Sequence, residues 1–184
     1  MAQRKFLTEK EVELMIASVP TGKHSIRDKC MLLMCFVHGL RVSELAQLRV
    51  QDVKLEEQII YISRLKNGLS VQHPLQKKEV LALKNWMRRR PAYLGCESDY
   101  LFLSMLGNKL SRQQLYRIFS RAGKNANVNV EVHPHMFRHA CGYALANRGC
   151  DTRLIQDYLG HRNIQNTVIY TAANAARFKM VSFG

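Results

Sequence analysis

The stretch HPHMFRHACGYALANRGCDTRLIQDYLGHRNIQNTVIYT, residues 133–171, decides how the chain is organised. It reads as three helices parted by two punctuation points. His133-Pro134-His135 introduces the first, which runs to about Arg148 and stops at Gly149. Asp151 caps the second, residues 152–159, and Gly160 supplies the left-handed stop. The third begins near Asn163 and carries Tyr170. The i,i+3 spacing of His135 and Arg138 puts imidazole and guanidinium on one helix face. His161 sits just beyond a helix stop, where the turning backbone aims it inward, nine residues before Tyr170.

Working toward the amino terminus, Ser111 caps a strongly basic helix over 112–122. A further helix spans 77–90 and is stopped by Pro91. Between the two, residues 100–103 read as a short strand or a buried extended piece. Residues 58–63 and 69–73 alternate as strands around Asn67-Gly68, the strongest short hairpin signal, which sets Lys66 beside the tip. Pro74 ends the second strand. Three helices precede the hairpin. Thr8 with Glu11 is a capping box for the first, which ends near Pro20. The second covers about 25–38 and stops at Gly39, and the third covers 42–48. The fold class expected is mainly α with a small antiparallel β-sheet, in one domain over 1–184.

Composition narrows the function. The chain has 184 residues, 28 Lys and Arg against 14 acids, a net charge of +14 and a pI near 9.9. Such an excess attracts polyanions, nucleic acid first. No apolar run reaches the roughly 18 residues a membrane helix needs, and the basic start Met1-Ala-Gln-Arg-Lys-Phe6 lacks a secretory core. Five cysteines without a CxxC pair fit reduced, intracellular usage. Cys141 and Cys150 read as core residues. A cytoplasmic, nucleoid-associated location is expected.

Taken singly, the chemical residues have ordinary explanations. Arg41 and Glu44 make an i,i+3 ion pair, His135 a structural histidine, Tyr170 a half-buried aromatic and Lys66 a solvated loop residue. As a set they suit attack on a phosphodiester. Two guanidiniums clamp nonbridging oxygens and meet the charge that grows in the pentavalent transition state. Histidines move the nucleophile's proton or donate to phosphate, and a lysine protonates the leaving oxygen. A tyrosine, with an ordinary pKa of about 10, needs such an electropositive setting.

The order Arg41, Lys66, His135-x-x-Arg138, His161, Tyr170 resembles the active-site order of the tyrosine recombinase (phage integrase) family. The strings HGLRVSEL at 38–45, HPHMFRHA at 133–140 and LIQDYLGHRNIQNTVIYT at 154–171 carry the resemblance over nearly the whole chain. RLKNG at 64–68, HPL at 73–75, LSRQQ at 110–114 and DTRLIQDYLGHRN at 151–163 are similar in particular to the short bacterial fimbrial phase-variation recombinases, which invert a promoter segment. The resemblance implies the catalytic domain of a DNA breaking-rejoining enzyme. Arg41 and Arg138 then hold the scissile phosphate and Lys66 protonates the leaving 5′-oxygen. His135 assists proton transfer, His161 bonds the phosphate, and Tyr170 forms a 3′-phosphotyrosine. Glu44 orients Arg41. Arg27 is structural or a DNA contact. No cofactor is implied, since the phosphotyrosine keeps the energy of the broken bond. The partners implied are double-stranded DNA with inverted-repeat sites, a homotetramer on two paired sites, and DNA-bending accessory proteins.

By the same resemblance the helix from Arg112 enters the major groove, with Arg112, Gln113 and Tyr116 on its exposed side and Arg117, Arg121 and Lys124 following. Arg88-Arg89-Arg90 reads as a phosphate-contacting or solvated run. Two departures from the family stand out. Only 40 residues precede Arg41, so the separate amino-terminal DNA-clamping domain is expected to be absent. Only 14 follow Tyr170, with Phe178, Met180, Val181 and Phe183 as the apolar positions of a short docking helix. His135 and His139 have the i,i+4 spacing of a zinc pair, but the HExxH glutamate is missing and no metal site is expected. The alternatives are a non-catalytic DNA-binding regulator that keeps the fold, and a type IB topoisomerase-like enzyme.

Overall fold

N-cap side chains fix the starts of three helices. In the computed structural model, which describes residues 4, 6–64, 70–172, 174 and 178, Thr8 accepts from the Glu11 amide while Glu11 accepts from the Thr8 amide. Ser111 and Gln114 repeat this arrangement, and Asp151 takes the amides of Arg153 and Leu154. The helices that result are α1 (Glu9–Ala17), α2 (Ser25–Val37), α3 (Val42–Gln47), α4 (Lys77–Arg89), α5 (Arg112–Asn125), α6 (Pro134–Asn147), α7 (Thr152–Leu159) and α8 (Gln165–Ala172). α5 runs past the expected Ala122 because Ala122 and Gly123 are buried and continue its inner face.

The central helix is α2. Cys30, Met31, Leu32, Met34 and Cys35 are fully buried on it, and α1, α4 and α6 pack around it. Burying an aliphatic side chain contributes about 1.5–3 kcal/mol. Trp86 of α4 adds its indole, whose Nε1–H donates to the Leu101 carbonyl at 2.9 Å. A second, smaller core of Cys141, Ala146, Ile155, Leu159 and Tyr170 lies between α6, α7 and α8.

The strands form one antiparallel sheet in the order β1 (Val53–Lys54), β2 (Ile59–Ile62), β3 (Val71–Pro74). The short β1 was not legible, because two residues carry no alternation. In the β2–β3 register Ile60 faces His73 and Ile62 faces Val71. Ile60, Ile62 and His73 are buried while Tyr61 and Gln72 face outward, the period of two expected for a half-buried sheet. Pro74 closes β3 as its last residue. The hairpin tip, including Lys66, lies outside the described residues, as does the tail apart from Asn174 and Phe178.

One expectation changes here, and two open ones become definite. Residues 100–103 form no strand: Leu101, Phe102 and Leu103 are buried, the backbone bends at Leu101 and Phe102, and isolated bridges join Tyr100 to Arg49 and Leu103 to Lys109. Arg90 is no phosphate contact. It is buried and donates to the carbonyls of Cys96, Ser98, Tyr100 and Leu101, and so ties this loop, while Arg88 and Arg89 stay exposed. Arg27 is structural, donating to the Leu103 carbonyl at 2.7 Å and pairing with Asp28. No helix among the described residues is long and apolar enough to cross a membrane.

Candidate active site

The arginine cluster begins where α2 ends. Gly39 adopts a left-handed φ of 56°, and a Cβ there would meet the Leu159 side chain at 2.3 Å. This turn brings Arg41 to the start of α3, one turn from Glu44. The Glu44 carboxylate accepts from the Arg41 amide at 2.8 Å, from the Arg41 guanidinium at 2.6 Å and from Arg64 Nη1 at 2.9 Å. Arg138 Nη1 stands 4.0 Å away. Burial pushes the Glu44 carboxyl up, but Arg64, Arg41 and Arg138 outweigh it and hold the group below its usual range. Glu44 is therefore an anion among three cations.

Two of those cations are turned inward. Arg138 is 1% exposed and donates to the carbonyls of Gly39 at 2.5 Å and Leu159 at 2.6 Å. Burial, then Arg41 and Arg64, lower its pKa to about 10, which still leaves it charged at neutral pH. Arg64 is also buried and donates to the carbonyls of Tyr158 at 2.6 Å and His38 at 3.2 Å. Its aliphatic stem lies on Gly160, whose φ of 66° confirms the expected helix stop. Arg41 keeps 28% of its side chain exposed, so among these three it is the guanidinium open to an incoming anion.

Tyr170 projects from α8 into the smaller core. Its side chain is buried, with the ring against Gly142 of α6, where an added Cβ would meet ring carbons at 2.6–2.7 Å. Its hydroxyl is hydrogen-bonded to His139 Nδ1 at 3.0 Å. Burial raises the phenol pKa to about 12 although Arg138 opposes the shift. His161 stacks near the Tyr170 ring at 6.4 Å between centroids and is oriented by Thr167, 2.8 Å from its Nδ1. Burial and the charges of Arg138, Arg41 and Arg64 push His161 down to about 3. His135 packs edge-on to His139 at 4.5 Å. Crowding by protein atoms and by His139 and Arg138 lowers it to about 4, although the residue as a whole is exposed. α8 is fastened by Thr152–Thr171 at 2.7 Å and by Asn174, which donates to the Ala146 carbonyl.

The structure thus brings Arg41, Glu44, Arg138, His135, His161 and Tyr170 into one region. Lys66 lies outside the described residues. Two neighbours escaped the sequence reading. His139 has the i+4 spacing of a metal ligand with His135, yet it is the residue bonded to Tyr170. Arg64 stands in the quoted RLKNG string, but nothing local marks it as buried. Among the described residues no group of three His, Cys, Asp or Glu is arranged to hold a metal ion. On the neighbouring surface Arg112, Gln113, Tyr116, Arg117 and Arg121 are all exposed along α5. Arg4, Arg117, Arg121, Lys124 and His133 line an open groove of about 910 Å³ beside it.

Comparison with known proteins places this arrangement. The Phage integrase family model matches residues 5–177. The chain is 56% identical over 176 residues to the type 1 fimbriae regulatory protein FimB of Escherichia coli strain K12, covering 96% of this chain and 88% of that one. The crystal structure of XerA recombinase superposes with a TM-score of 0.83 at 27% identity, over 97% of this chain and 64% of that one. The XerH site-specific recombinase bound to difH substrate in a pre-cleavage complex gives 0.79 at 26% identity, over 91% and 50%. The chain therefore spans about half to two thirds of these solved recombinases. A mainly helical fold with a three-stranded antiparallel sheet, an inward-facing tyrosine and a family match over nearly its full length make this chain a member of the phage integrase family, the tyrosine-type site-specific recombinases.

Proposed function

We propose that this chain cleaves and rejoins DNA through Tyr170 and inverts a promoter segment that controls fimbrial expression. The observation that carries the reading is the cation cluster of Arg41, Arg64 and Arg138 around Glu44, set against Tyr170 and three histidines. Arg41 receives the scissile phosphate, with Arg138 behind it, and both meet the charge that develops in the transition state. The Tyr170 oxygen attacks phosphorus, the bond to the 5′-oxygen breaks, and a 3′-phosphotyrosine remains. The phenolic proton passes to the histidine pair, for which His139 Nδ1 is already in contact and His135 adjoins it. His161 bonds a nonbridging oxygen. Lys66 gives its proton to the leaving 5′-oxygen, as the family resemblance implies. Attack by a different 5′-hydroxyl reverses these steps and joins new partners.

With its phenol buried and protonated, Tyr170 is withheld until DNA binds. The groove beside α5 seats the backbone, and Arg112, Gln113 and Tyr116 reach base edges. The name of the fimbrial relative supports the regulatory assignment, and the DNA-bound XerH structure supports the substrate class. Inverted-repeat sites, four copies on two paired sites, accessory bending proteins and action in the bacterial cytoplasm complete the proposal.

The test is a nicked suicide DNA carrying the fimbrial inverted repeat. A denaturant-stable protein–DNA adduct is expected and should vanish with Tyr170→Phe. Binding without an adduct would favour a DNA-binding regulator. Relaxation without recombinant product would favour a topoisomerase.

A further inference from the structure

Behind the arginine cluster lies a second polar group to which the reaction assigns no part. His38, His73 and Glu79 are 0%, 3% and 0% exposed. His38 Nδ1 and His73 Nδ1 are 3.0 Å apart, and His38 Nε2 is 2.7 Å from Glu79 Oε1, at ion-pair distance though out of hydrogen-bond line. The three residues come from different elements. His38 follows α2, three residues before Arg41. His73 is an inward position of β3, and Glu79 closes the capping box of α4 through the Gln76 amide at 2.8 Å.

Polar rings at such depth are costly unless bonded, and the neighbouring inward positions of the sheet are Ile60 and Ile62. An aliphatic side chain would fill the place of His73 at lower cost. What the ring does instead is join parts that hold Arg64. Its face stacks on Tyr158 at 3.9 Å and 21°. The Tyr158 hydroxyl donates to the Val37 carbonyl at 2.9 Å. The carbonyls of Tyr158 and His38 both accept from Arg64, which donates in turn to Glu44, the carboxylate that fixes Arg41. Burial, His38 and Arg64 keep His73 neutral, with a pKa near 3. One of the two facing Nδ1 atoms then carries the shared proton. If His38 Nε2–H faces Glu79, His73 Nδ1 is the donor of that proton.

We propose that Glu79, His38 and His73 form a buried positioning relay that fixes Arg64 and, through Glu44, the guanidinium of Arg41. The relay rests on the reading that Arg41 meets the scissile phosphate. None of the three touches DNA, so their effect falls on the rate of cleavage and not on binding.

Single-turnover cleavage of the nicked substrate at saturating protein, together with the Kd for the same DNA, tests this. His73→Phe keeps a ring on Tyr158 but removes the Nδ1 contact. A rate loss of about ten- to hundredfold is expected, with Kd within about threefold of wild type. His73→Asn, which restores a polar atom near Nδ1, should recover most of the rate. In combination with Arg64→Lys, His73→Phe should slow the enzyme no further than Arg64→Lys alone. A wild-type rate in His73→Phe, equal losses of rate and binding, or multiplicative effects in the double variant would overturn the relay. Should His73→Phe not fold, Glu79→Gln carries the test. With its oxygen on the Gln76 amide, it replaces the charged acceptor facing His38 by an amide nitrogen, and an unchanged rate overturns the proposal as well. Arg41→Ala separates the two possible failures. If cleavage survives it, the phosphate role of Arg41 falls and the relay with it; if it abolishes cleavage while His73→Phe keeps the wild-type rate, the relay alone falls.

Discussion

The hydroxyl of Tyr170 is hydrogen-bonded to Nδ1 of His139 at 3.0 Å, while the ring beneath it rests on the Cα of Gly142. α6 therefore supplies both the proton partner and the seat of the tyrosine. His135 is one turn before His139 on the same helix, so the two imidazoles form one edge-on pair beside the phenol.

The seat has no spare room. Gly142→Ala places a methyl at 2.6 Å from a rigid ring, and overpacking of this kind costs about 1–3 kcal/mol. The urea midpoint should fall, and Tyr170 should become more reactive toward tetranitromethane than in wild type. Unchanged stability with Tyr170 still protected would show that the ring is not held there.

Glu44 is the shared anion of three guanidiniums. Glu44→Ala leaves Arg64 and Arg138 buried and uncompensated, so a destabilisation of about 3–5 kcal/mol is expected in denaturant titrations. Glu44→Gln should fold better than the alanine variant, since it keeps acceptor oxygen and volume. Equal midpoints for wild type and Glu44→Ala would contradict the cluster.

Two pH windows follow from the shifted groups. His161, His135 and His73 are depressed to about 3, 4 and 3, and His139 is lowered too. The unfolded chain binds protons on these rings first, near 6.5. Their stability is complete above that pH and is lost progressively as pH falls from about 6.5 toward 3. At the other end Tyr170 is raised to about 12, so its contribution is complete below the unfolded value near 10 and is lost as pH rises from about 10 to 12. Urea midpoints across pH check the first window. The 295 nm titration of wild type minus Tyr170→Phe checks the second; a Tyr170 transition at 10 would refute its burial.

The basic face of α5 should report itself through salt. Arg117→Ala and Arg121→Ala should each weaken binding to all sequences and reduce the slope of log K against log[salt] by about 1. Gln113→Ala and Arg112→Ala should instead relax base preference at single positions, at about 1–3 kcal/mol each. Competition binding with point-substituted sites distinguishes the two patterns. Slopes that do not change would place the phosphates elsewhere.

Lys66→Ala should slow cleavage of ordinary DNA strongly and recover on a substrate with a 5′-bridging phosphorothiolate, whose leaving group needs little protonation. Failure to recover would remove Lys66 as the acid.

The amino-acid sequence by itself determined where α1, α5 and α7 begin, because capping is a matter of neighbours: Thr8 with Glu11, Ser111 with Gln114, Asp151 with the next amides. It determined the buried face of β2 in the same way, through alternation, and it placed the chemical residues in a recognisable order. Tertiary structure decided what those residues touch. Arg138 reaches the Gly39 carbonyl across 99 positions, and Arg64 reaches Tyr158 across 94. No periodicity spans such distances, so Arg64 passed as part of a loop string and Arg90 as one of three like charges. His135 and His139 lie one turn apart on one helix, and their spacing alone cannot tell which ring meets Tyr170. That choice belongs to the packing of α8 on α6, where the absence of a side chain at Gly142 lets the phenol lie against the helix and brings its hydroxyl to His139.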